Sequence, residues 1–88
     1  MTVKEIIKSY LKFITELAVN TTIANHVIET RIADYAKTTF NIMHAPGTYS
    51  RAWRDIRKKR KTLVWEGFRI TEEAGIGSVE KYFKIERI

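Results

Sequence analysis

The chain has 88 residues, 44% of them hydrophobic and 11% aromatic, enough apolar side chain for one small core, which excludes a disordered tail and makes one domain the expectation. It contains no cysteine and only two histidines, His26 and His44, which excludes a disulfide framework and a zinc centre and leaves packing to supply the stability. No run approaches the roughly 20 apolar residues of a membrane span, and the net charge of +6 directs attention to polyanionic partners.

Between Thr2 and Ala18 the apolar residues Val3, Ile6, Ile7, Tyr10, Leu11, Ile14 and Leu17 recur at helical spacing, which predicts an amphipathic helix over residues 2–18. Thr2 is placed to cap it and Asn20-Thr21-Thr22 to end it. Phe13 lies off the main stripe, so it either widens the core face or meets another subunit. From Thr22 to Phe40, residues Ile23, Val27, Ile28, Ile32, Tyr35, Ala36 and Phe40 keep a helical period, while β-branched residues crowd around His26 to Thr30. The period predicts a helix over 29–41, preceded either by a short strand or by an earlier turn of the same helix. Asn41 to Ala45 connect it to Pro46, whose fixed φ suits the first position of a new helix. Ala45 offers no capping oxygen, which leaves His44 to serve.

Tyr49, Ala52, Trp53 and Ile56 give this third helix, predicted over 46–60, a narrow buried stripe. The opposite side carries Thr48, Ser50, Arg51, Arg54, Arg57 and Lys58, and the basic run continues through Lys59, Arg60 and Lys61. Residues 51–61 hold seven basic side chains against Asp55 alone, whereas the remaining residues hold nine of each sign. All the excess charge therefore lies in one segment, as a localised nucleic-acid footprint requires. The helix dipole favours one or two cations at a C-terminus. Five in succession repel one another and need a polyanion to relieve them.

Beyond Lys61 the period shortens to two. Val64, Phe68 and Ile70 are expected on one face of a strand, and Val79, Phe83 and Ile85 on one face of another. The loop Thr71 to Ser78 separates them, with Gly75 and Gly77 at its tip. This predicts a two-stranded hairpin over 63–88. Trp65 either covers the end of the basic helix or sits exposed.

The stretch Ala45-Pro46-Gly47-Thr48-Tyr49-Ser50-Arg51-Ala52 resembles the start of the recognition helix in bacterial and phage regulators of the winged helix-turn-helix family, which often reads Ser-Pro-Gly-Thr-Val-Ser-Arg-Ala. The order of three helices followed by a hairpin resembles that family over the whole chain. The resemblance implies an α+β fold, a single winged-helix domain over residues 1–88, with the 63–88 hairpin as the wing. It also implies sequence-specific binding of double-stranded DNA, as in a small transcriptional regulator of a phage or other mobile element. Thr48, Ser50, Arg51 and Arg54 would then read bases in the major groove, with Tyr49 and Ala52 as core anchors.

The residues support the same expectation by themselves. Arg51 or Arg54 has the bidentate geometry that guanine accepts, and Thr48 and Ser50 can bond bases or phosphates. Gly47, Arg57, Lys58, Lys59, Arg60 and Lys61 are the expected phosphate contacts. Arg69 and Lys81 are expected either to touch DNA from the wing or to be merely solvated. A homodimer through helix 2–18, using Tyr10 and Phe13, would give the two-fold reading common among such regulators. The second reading is a winged-helix protein-interaction module within a larger nucleoprotein or replication assembly. RNA is disfavoured because the aromatic residues are not interleaved with the basic run. Nothing marks an enzyme, a metal site or a cofactor: His26, His44 and Asp34 have no catalytic neighbours in sequence. The expected location is cytoplasmic and nucleoid-associated, or nuclear in a eukaryotic host.

Overall fold

The computed structural model describes residues 1–18, 20–74 and 81–88. Within them the chain is α+β, with three helices and a four-stranded antiparallel sheet. The elements run α1 (Val3–Leu17), β1 (Asn20–Ala24), α2 (Asn25–Phe40), α3 (Pro46–Arg57), β2 (Thr62–Trp65), β3 (Phe68–Ala74) and β4 (Lys81–Arg87). No helix among the described residues is long and apolar enough to cross a membrane.

The start of α1 is a reciprocal capping box: the Thr2 hydroxyl accepts from the Glu5 amide at 3.1 Å, and the Glu5 carboxylate accepts from the Thr2 amide at 3.1 Å. That amide and the Thr2 hydroxyl hold the Glu5 carboxyl below its usual pKa. The helix stops at Leu17, before Asn20-Thr21-Thr22, because Ala18 turns extended. Two carbonyls in its C-terminal half also accept from the sheet: the Thr21 hydroxyl donates to Ile14 O at 3.3 Å, and Arg87 to Lys12 O at 3.2 Å.

The residues expected to end α1 instead open β1, which pairs with the C-terminal strand so that Ile23 faces Phe83 and Thr21 faces Ile85. Both alternatives for the stretch before residue 29 are thus realised, since β1 takes 20–24 and α2 begins at Asn25. The helix ends at Asn41 in the left-handed region, φ 54°, a conformation that asparagine tolerates better than most residues.

The two-stranded hairpin expected over 63–88 is a correction in kind. Glu66 and Gly67 both have positive φ, 49° and 84°, and make a two-residue turn between β2 and β3. This turn resets the alternation, so Leu63 pairs with Ile70 and is buried while Val64 is 62% exposed. Strand β3 then continues through Thr71 to Ala74, residues expected in a loop, because β4 pairs with it along its whole length. The sheet order is β1-β4-β3-β2. Gly75, Gly77 and Val79 lie outside the described residues.

One core joins these parts. Ile6, Ile7 and Leu11 of α1, Ile28 and Ile32 of α2, and Tyr49 and Trp53 of α3 pack with Ile70, Phe83 and Ile85 of the sheet, all buried. Each such side chain contributes about 1.5–3 kcal/mol by leaving water. Trp65 is partly buried against this core.

Candidate nucleic-acid interface

Helix α3 is oriented by its apolar stripe. Tyr49, Trp53 and Ile56 are buried, and at 3.6 residues per turn Gly47, Arg51, Arg54 and Lys58 fall on the opposite side, all exposed. Thr48 and Ser50 are half-buried on the two flanks. Thr48 borders the groove against α1 with Thr2, Val3 and Lys4. Ser50 borders the groove against α2 with Asn25 and Glu29. Of the four expected base readers, Arg51 and Arg54 therefore project outward, and the two hydroxyls sit at the helix shoulders.

Pro46 stands at the helix start as expected, but Ala45 supplies no side-chain cap and His44 does not replace it. The imidazole lies edge-on to Tyr49, with centroids 5.8 Å apart. Burial raises the Tyr49 phenol pKa, and its hydroxyl finds no hydrogen-bond partner among the described residues.

At its other end α3 stops three residues earlier than predicted. Lys58 and Lys59 both take left-handed backbone, φ 48° and 61°, and the Lys58 amide closes on Arg54 O at 2.9 Å. The basic run consequently leaves the helix axis and bends toward the sheet. Between the two lies an open cleft of about 870 Å³ lined by Arg51, Arg54, Arg57, Lys58, Lys59, Lys61 and Lys81, with Asp55 and Glu72 as the acids. Arg60 is exposed beside it.

Both acids are already engaged. Asp55 pairs with Lys4 at 2.7 Å, whose hydrogen bond and charge hold its carboxyl below the usual range. Glu72 pairs with Arg57 at 3.5 Å and with Lys81 at 3.8 Å. Among the described residues no carboxylate lies within ion-pair distance of Arg51, Arg54, Lys58, Lys59, Arg60 or Lys61. Their charge is thus directed outward to solvent.

Arg57 departs from its expected place on the phosphate-facing side. Its side chain is 11% exposed, and the guanidinium lies 4.5 Å from the Phe83 ring centroid and 5.9 Å from that of Trp53. The reason is helical phase: Arg57 follows Trp53 by four residues and so joins the edge of the apolar stripe. Burial lowers its pKa, and the Glu72 charge opposes that effect. Its position relative to Trp53 was the signal in the sequence. The pairing with Glu72 had none, since that residue was assigned to a loop.

The two expected wing contacts are separated. Lys81 lines the cleft. Arg69 points from the outer sheet face opposite Glu86, about 17 Å along β3 from the Lys81 end at a rise of ~3.4 Å per residue. Comparison of the chain with protein-family models, curated proteins and solved structures gives no match, so the site rests on its own geometry.

Proposed function

We propose that the protein binds double-stranded DNA as a small winged-helix regulator. In this reading α3 enters the major groove, Arg51 and Arg54 meet base edges, and Thr48 and Ser50 bond the groove walls. Lys58, Lys59, Arg60 and Lys61 sit on phosphates with the exposed amino end at Gly47. The β3–β4 hairpin is the wing, and Lys81 is its contact nearest the helix.

One observation carries the reading: six cations on and just beyond α3 face outward without a carboxylate, while the two acids beside them are already paired. A face held at such positive potential is suited to a polyanion. The strand β1, joining α1 to α2 and closing the sheet beside β4, leaves the outer side of α3 uncovered.

The test is a binding titration on duplexes selected from a random pool, at fixed salt. Arg51→Ala is expected to flatten discrimination among bases by about 1–3 kcal/mol, and Lys59→Ala to weaken all duplexes alike. Wild-type affinity in both variants would overturn the reading.

A further inference from the structure

Away from the basic cleft, α1 and α2 leave an open apolar groove of about 610 Å³. Tyr10 and Tyr35 form its floor, edge-on with centroids 5.5 Å apart. A 2.7 Å hydrogen bond between the Tyr35 and Ser9 hydroxyls ties the two helices together there. Phe13 and Leu17 stand above the floor, 45% and 73% exposed. Arg31 and Asp34 line the same groove and are also exposed. Two large apolar side chains beside a pair of opposite charges give the groove an apolar centre and a charged edge, the pattern of an interface.

We propose that this groove is where a second copy of the chain docks, about a two-fold axis that sets the α2 helices antiparallel. The charges select this occupant. A chain of net charge +6 repels its copy on most approaches, but the groove edge is neutral, one arginine balanced by one aspartate. Arg31 and Asp34 are three residues apart on one helix face and make no ion pair with each other. An isologous pairing places Arg31 opposite Asp34 of the second copy and repeats the contact in reverse, so one register satisfies both charges. The Arg31 guanidinium is close enough for its charge to act on the Tyr10 phenol, and a guanidinium carries donors enough for an incoming carboxylate. Phe13 and Leu17 then leave water against the other subunit.

The inference goes beyond the nucleic-acid reading and does not depend on it, because the groove and the basic cleft share no residue. It is tested without DNA, by sedimentation of the full chain from about 1 to about 500 µM, a span covering weak and moderate association. Wild type should pass from monomer to dimer. Leu17→Glu should remain monomeric, and Asp34→Arg should weaken association at least about tenfold, since it opposes arginine to arginine twice. The double swap Arg31→Asp with Asp34→Arg restores the pairing and should recover wild-type association to within about threefold. Leu17 and Asp34 are exposed, so a melting curve is expected to show both variants folded, and either alone suffices if Arg31→Asp is unstable. A wild-type chain that stays monomeric, or a dimer that Leu17→Glu and Asp34→Arg leave intact, overturns the proposal.

Discussion

Arg57 and Arg51 belong to the same helix and the same basic run, yet they face different surroundings. The Arg57 guanidinium stacks on Phe83 and pairs with Glu72, whereas Arg51 is exposed with no carboxylate in reach among the described residues. Arg57→Ala removes the stack and leaves a largely buried Glu72 with, among the described residues, only the 3.8 Å Lys81 ion pair. Its expected cost is about 2 kcal/mol, less than a fully buried pair because solvent still reaches both groups. Arg51→Ala is expected to change stability by no more than about 0.5 kcal/mol. Urea denaturation checks that order, and DNA titration should invert it, with discrimination lost in Arg51→Ala and kept in Arg57→Ala. The candidate site was legible in the sequence as a charge run. Which member of the run turns inward was legible only through phase, since Arg57 lies one helical turn beyond Trp53 while Arg51 lies opposite Tyr49 and Trp53.

At the scale of elements, the end of α3 decides where the lysines point. Two consecutive non-glycine residues in left-handed backbone, Lys58 and Lys59, cost roughly 1–2 kcal/mol each against a helical alternative, and glycine is the usual occupant of such an end. Lys59→Gly should therefore stabilise the fold, by a net of about 0.5 kcal/mol once the added freedom of the unfolded chain is subtracted. The same variant should bind DNA more weakly, because it removes a cation from the cleft. A rise in the urea midpoint together with a fall in affinity is the expected result. A fall in both would mean that the lysine side chain, and not the backbone, holds the helix end. The helices α1 and α3 could be read from spacing alone, because each buries one stripe over three or four turns. The strands could not. β1 is five residues long and its partner β4 lies about sixty residues further on, and the Glu66-Gly67 turn carries a glutamate where asparagine or aspartate is the common signal. Without that turn, Val64 and Phe68 read as one strand face, when they belong to two strands.

For the whole molecule, what matters is the separation of charge from apolar surface. The sheet and three helices share one core, six cations without an ion pair among the described residues collect on and just beyond α3, and the exposed Phe13 and Leu17 lie between α1 and α2. Such a division permits a DNA face and a subunit face to act without competing. It also sets the salt response. If four to six of the outward cations neutralise phosphates, counterion release predicts that the logarithm of the association constant falls with the logarithm of salt at a slope of about −4 to −5 per bound protomer. Lys59→Ala should make that slope shallower by about 1, because one phosphate contact is lost. Arg57→Ala should leave it unchanged, because the guanidinium is spent on Phe83 and Glu72 inside the fold. Fluorescence anisotropy on a random-sequence duplex across a salt series measures all three slopes. A wild-type slope near zero would remove the phosphate contacts from the account, and a shallower slope in Arg57→Ala would place that side chain on DNA in the bound state.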